Sequence, residues 1–186
     1  SWGLATYQVN GMDNYMQGAR VSMMGRDAED VPVLDVDMDR MTSLVEKVYA
    51  LCFENPGCYV EEGGNYDITY AVFKADRALY TTMMMSQVRT ELADMESDFG
   101  ILPYPKLDET QSAYGTRVQD GLTIFAVPID CQKVEITGAV MEAMAAENYR
   151  KVTPAVYDVA MKTKYSRDPA SAAMIDLIQQ SVLINF

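Results

Sequence analysis

A chain of 186 residues, 49% hydrophobic and 23% charged with no low-complexity run, has the composition of a folded domain and is long enough to bury about 70% of the surface its unfolded form exposes. Its 27 acidic and 15 basic side chains leave a formal charge of −12, a field that repels phosphate backbones and anionic headgroups, so nucleic acid is not an expected partner. Histidine is absent, which removes Ser-His-Asp and Cys-His catalysis and every histidine-containing zinc site.

The opening, Ser1 to Met24, mixes aromatic and small residues with Gly11 and Gly18, and Ala19 to Met23 alternates well enough for a short strand. Asp35 to Asp39 is a turn-like acidic run. After it Met41, Leu44, Val45, Val48 and Cys52 share one face at helical spacing, and Asn55-Pro56-Gly57 stops the helix. Gly63-Gly64-Asn65 is a loop, with Asp67 placed to cap a short helix over Ile68 to Lys74. Ala78 to Met83 is β-branched and aromatic enough for a strand, and Ser86 to Met95 reads as a helix with Val88 and Leu92 inward.

Phe99 to Pro103 is a short apolar strand closed by Pro-Tyr-Pro, and the polar stretch Lys106 to Ser112 is a surface loop. Thr116 to Pro128 is the next strand candidate, built on Leu122 to Val127. The final third is helical: Lys133 to Asn148 carries a stripe of Ile136, Val140, Ala143 and Met144. Thr153-Pro154 and Asp168-Pro169 each set a capping oxygen before a proline at a first helical position. Helices between and after strands indicate a layered α/β domain over residues 1–186, with no internal repeat and no dividing linker.

No Gly-rich phosphate cradle, dinucleotide fingerprint or serine elbow occurs. Asp35, Asp37 and Asp39 have the spacing of half a calcium loop, but the glycine and distal glutamate do not follow, and the run reads as a solvated acidic helix start; no metal, cofactor or catalytic residue is expected. The fourteen methionines read mainly as core filler, with Met83-Met84-Met85 the exception, because successive strand residues face opposite sides. Twelve tyrosines and Trp2 offer aromatic faces on which a sugar ring can stack, Trp2 being equally a packed chain end or a ligand platform. Cys52 falls in the helical pattern and Cys58 in the Asn-Pro-Gly turn that follows, so the two can approach, and an exported protein could oxidise them. The reading favours three free, partly buried thiols with Cys131. No apolar run approaches the ~18 residues of a membrane span, and no signal segment begins at Ser1.

Four segments in order resemble the C-terminal lobe of family 1 extracellular solute-binding proteins. They are Phe73 to Tyr80 (FKADRALY), Asp98 to Glu109 (DFGILPYPKLDE), Ala126-Val127-Pro128 with the helix through Glu142 to Glu147 (EAMAAE), and Thr153 to Tyr157 with Lys164 to Asp168 (KYSRD). The second is the most specific, and together they span Phe73 to Ile178. The resemblance implies one α/β lobe of a type II periplasmic-binding-protein-like fold, in a monomer of two lobes joined by crossing segments that close on a small-molecule solute and present it to an ABC permease. It also implies a longer protein, extracellular and anchored through a lipidated N-terminus that this chain lacks.

By that resemblance the ligand cleft lies at the loop after the Thr82 strand and at the segment entering the strand from Gly121. The candidate ligand-binding residues are Trp2, Thr82, Ser86, Gln119, Asp120 and Gly121. Many sugar-binding relatives carry a tryptophan at the first loop, where this chain has Thr82-Met83-Met84-Met85-Ser86. Gln119 and Asp120 bond ligand hydroxyls or cap the strand. The expected function is that of a non-enzymatic import component for a carbohydrate or oligosaccharide. The alternatives are a ligand-sensing surface lipoprotein and a carboxylate-only glycosidase, which needs two facing carboxylates ~5–10 Å apart.

Overall fold

The computed structural model describes residues 1–8, 11–118, 121, 124–165 and 169–183. In chain order the elements are β1 (Trp2–Tyr7), α1 (Gly11–Gly18), β2 (Met24–Arg26), β3 (Pro32–Leu34), α2 (Met38–Tyr49), β4 (Cys58–Glu61), α3 (Tyr66–Lys74), β5 (Ala78–Thr81), α4 (Met85–Glu91), β6 (Thr116–Arg117), α5 (Val134–Glu147), α6 (Pro169–Gln180) and β7 (Val182–Leu183). The fold is mixed α/β with more helix than strand.

Its centre is a parallel sheet in the order β4-β1-β5. Leu4 lies opposite Cys58 on one side and Tyr80 on the other, and Ala5 opposite Tyr59 and Thr81. Helix α3 returns the chain from β4 past β1 to β5 and packs on all three strands, with Thr69 and Tyr70 buried. Ala5 and Thr6 are almost wholly enclosed, as residues of a central parallel strand must be. Smaller pairs complete the strands: a β2–β3 hairpin, whose turn is held by Asp27 accepting from the Glu29 and Val31 amides, and β6 beside β7.

Two apolar clusters carry the packing. In the first, Leu44 of α2 meets Tyr15 and Ala19 from the α1 region, with Val21 and Leu107. Asp37 caps α2 by accepting from the Arg40 amide at 3.0 Å, so the acidic run serves as a helix start. The helix continues through wider turns, Ala50–Glu54, and ends at extended Asn55. In the second cluster Val88 of α4 and Ile101 meet Met161, Ile175 and Ile178, with Met83 and Met85 packed against them. Two of the three consecutive methionines are therefore packing residues.

Where expectation and structure part, hydrogen-bond supply explains the difference. Trp2–Tyr7 and Gly11–Gly18, read above as undefined, are the central strand and the first helix. Ala19 to Met23 is not a strand, and the hairpin begins only at Met24. Helix α3 starts at Tyr66 rather than Ile68, and its cap is Asn65, whose side chain accepts from the Asp67 amide at 3.1 Å. Phe99 to Pro103 runs without a ladder; the Ile101 amide is satisfied by Ser171 Oγ at 2.9 Å, not by a neighbouring strand.

Among the described residues of the strand expected over Thr116 to Pro128, Thr116–Arg117 alone is a strand. Ile124 and Phe125 are 77% and 72% exposed and unladdered, while Leu122 and Thr123 lie outside the described residues. Helix α5 forms as expected, but its stripe is not buried. Ile136, Val140 and Met144 are more than half exposed, because its main contact is with the helical turns that follow it, Asn148–Val152. No break occurs at Thr153-Pro154. The chain stays helical through wide turns on either side, which accommodate a proline lacking its N–H. Pro169 does open α6, while Asp168 lies outside the described residues.

The Lys106 to Ser112 loop is not all surface, because Gln111 is buried and uses its whole amide. Its oxygen accepts from the Leu107 amide at 3.0 Å and from Arg40 Nη2 at 3.4 Å; its nitrogen donates to the Gly18 carbonyl at 2.8 Å and to the Ala113 carbonyl at 2.7 Å. Just beyond, Gly115 meets α1 so closely that a Cβ there would sit 1.9 Å from the Gln17 carbonyl oxygen; only glycine fits. Residues 104–115 are thereby bound to the end of α1, which sets the site described next.

Candidate functional site

In a parallel sheet the strand-to-helix turns gather at the carboxyl edge, and ligands bind there because helix N-termini and loop side chains converge. Here the edge is formed by Tyr7, Glu61 and Thr81, the last residues of β1, β4 and β5, with α1, α3 and α4 starting just beyond. Glu61 stabilises its own turn by accepting from the Gly63 and Asn65 amides, at 3.0 and 2.6 Å.

Three tyrosines line up across the edge. The Tyr7 and Tyr66 rings meet edge-on at 6.2 Å, and Tyr66 and Tyr70 are 5.7 Å apart. Tyr70 is buried and donates to Gln87 Oε1 at 2.6 Å; the same oxygen accepts from the Met84 amide at 3.0 Å, which fixes the start of α4. Tyr66, the first residue of α3, is 44% exposed. The Tyr7 hydroxyl hydrogen-bonds with the Asn14 side chain. Burial raises its pKa despite that bond and the nearby Arg117, so the phenol is neutral and able to donate. Arg117 from β6 forms an ion pair with Asp13 of α1 at 3.3 Å on the flank.

Behind this layer Thr82 and Thr6 share a hydrogen bond at 2.9 Å, and Thr82 also bonds the Tyr104 hydroxyl, whose pKa burial drives upward. Tyr104 stacks edge-on against Tyr15 at 5.3 Å. The Thr81 hydroxyl donates to the Ala5 carbonyl at 3.1 Å. These hydroxyls are committed to holding the edge in shape.

The candidate residues separate accordingly. Thr82 lies at the carboxyl edge but is buried behind it, a supporting residue; Ser86, in the first turn of α4, is exposed there. Trp2 is at the opposite end of β1, about 17 Å from Tyr7 by strand rise, where its ring packs 5.6 Å from Tyr59. It is therefore a packed strand start and not part of this edge. Gly121 is an exposed turn residue, and Gln119 and Asp120 lie outside the described residues.

Sequence reading missed Tyr7, Asn14, Tyr66, Tyr70 and Gln87. The one available signal was Tyr66 and Tyr70 at helical spacing behind a Gly-Gly-Asn loop. Among the described residues no group of three acidic or cysteine side chains is placed to hold a metal ion.

A concavity of about 710 Å³, to which Thr81, Thr82 and Met83 contribute, opens between the sheet and the Leu102-Pro103 segment. Its walls include Leu4, Leu51, Leu79 and Phe99, and its threonines are already bonded internally. It suits apolar surface more than a polyhydroxyl ligand. Compared with family models, with curated proteins and with solved structures, the chain matches none.

Proposed function

We propose that this chain is the C-terminal lobe of an extracellular, lipid-anchored solute-binding protein with a type II periplasmic-binding-protein-like fold, which takes up a carbohydrate or oligosaccharide and hands it to an ABC permease. The observation that carries the reading is the carboxyl edge. Exposed Tyr66 stands over Tyr7 and Tyr70, beside neutral hydrogen-bonding groups, on a parallel sheet whose three following helices all begin there.

Aromatic area with hydroxyl and amide partners is what a sugar ring needs: stacking on its C–H face and bonds to its hydroxyls. The charged groups at this edge already have partners, Arg117 in its ion pair with Asp13 and Glu61 in its own loop. The protein's role is then binding and release, which calls for rigid positioning and no catalytic group.

Support for a second lobe comes from apolar surface on one arm of the chain. Ile124, Phe125, Val127 and Ile129 lead into α5, and all four are exposed together with its stripe. A single lobe has no use for such a surface, whereas a segment that crosses to another lobe buries it. The protein works as a monomer in this reading, with solute and permease as its partners.

A thermal-shift screen against monosaccharides, oligosaccharides, peptides and polyamines tests the ligand class. A sugar at 100-fold its Kd adds about 2.7 kcal/mol of stability. Tyr66→Ala should remove about tenfold or more in sugar affinity while changing the unliganded Tm little, because the residue is 44% exposed. A response confined to polyamines or peptides would overturn the carbohydrate assignment.

A further inference from the structure

Cys52 and Cys58 stand apart from the carboxyl edge, and nothing in solute binding uses them. Cys52 lies in the wide helical turns Ala50–Glu54 that finish α2, and Cys58 is the first residue of β4. Between them the chain reverses at Asn55-Pro56-Gly57. The Asn55 side chain accepts from the Gly57 amide at 2.8 Å, and its carbonyl accepts from the Cys58 amide at 3.0 Å. This turn, with β4 packed against the helical end, sets the two half-buried thiols as neighbours across it, beside Tyr15.

We infer that Cys52 and Cys58 form a disulfide that staples the end of α2 to the start of β4 when the protein meets an oxidising organic disulfide, leaving Cys131 as the remaining thiol. The inference is independent of the solute reading. It requires only the geometry of the turn and an oxidant of the kind an oxidised glutathione pool or a disulfide-bearing oxidoreductase supplies.

Thiol chemistry supports a structural bond over a switch. Burial raises both thiols, Cys58 to about 12, so the fold stabilises neither thiolate. That sets the pair apart from strongly oxidising dithiols, whose reduced form is stabilised by an acidic cysteine. Cys131 differs, its thiol lowered by the Thr137 hydroxyl at 3.5 Å.

The reaction is a thiol–disulfide exchange. The Cys52 thiolate attacks one sulfur of the reagent disulfide and expels one thiolate, giving a mixed disulfide. Deprotonated Cys58 then attacks the Cys52 sulfur and expels the second. Two electrons pass to the reagent, and the two cysteine protons end on the two released thiols.

The test is to equilibrate the full chain with oxidised glutathione, unfold it in acid, alkylate, and map peptides by mass. The expected result is a species two hydrogens lighter with a single alkyl group on Cys131 and a peptide joining Cys52 to Cys58. Its Tm should rise by about 5 °C and return on reduction. Cys131→Ser should form the same link, and Cys58→Ser should stop at a glutathione adduct. Alkylation of all three cysteines in the oxidised sample, stable glutathione adducts on both Cys52 and Cys58, or links through Cys131 would each overturn the inference.

Discussion

Among single residues, Gln111 shows most clearly how polar satisfaction shapes this chain. Its amide is the shared partner of Leu107, Arg40, Gly18 and Ala113, three of them main-chain groups. Replacing it with leucine of similar size keeps the packing but strands buried donors and acceptors, each costing about 1–3 kcal/mol. Gln111→Leu should therefore lose about 3 kcal/mol in denaturant unfolding; a loss under about 0.5 kcal/mol would mean water replaces the amide. Nothing in the run Lys106 to Ser112 marks Gln111 as buried, because its partners lie as far as 93 positions away in sequence. Thr82 was legible as a residue of the strand's end, yet its orientation toward Thr6 and Tyr104 was not.

Among elements, those specified by local chemistry were legible. The Asp37 cap, the Asn55-Pro56-Gly57 stop, the Ala78–Thr81 strand and the inward Val88 and Leu92 all depend on neighbours within a few residues. Elements that exist through distant partners were not. β1 contains Gly3 and Ala5, and is a strand because β4 and β5, more than fifty residues on, supply its ladder. Ile124 to Val127 has the composition of a strand but joins no ladder among the described residues. Helix α5 has a clear stripe that is more than half exposed, since periodicity names a face without saying what meets it. Amide hydrogen exchange should expose this contrast, with α5 exchanging at least about a hundredfold faster than β1 and α3. Comparable protection in α5 would show that its apolar stripe is covered in solution.

For the whole molecule, the absence of histidine gives an unusual pH response. Burial raises the phenols of Tyr7, Tyr15, Tyr70 and Tyr104 above the ordinary value of 10.0. The fold thus holds those protons more tightly than the unfolded chain, so their contribution is intact below about pH 10 and is lost as pH rises further. Asp94 and Asp108 act oppositely. Their carboxyls are held below the ordinary 3.8, by Lys74 and by the Thr110 hydroxyl respectively, so that contribution is lost only as pH falls through that range. With no histidine between, Tm should be level from about pH 5 to 9 and fall on both sides; a step near pH 6–7 would contradict this.

The central claim, that the carboxyl edge is a sugar site, is tested most directly by ¹⁵N amide shift mapping while mono- and oligosaccharides are titrated to millimolar concentration. The account predicts saturable shifts clustered at Tyr7, Asn14, Tyr66 and Ser86, abolished in Tyr66→Ala. No shift with any sugar, or shifts gathered around Leu79 and Leu102 at the apolar concavity, would contradict it.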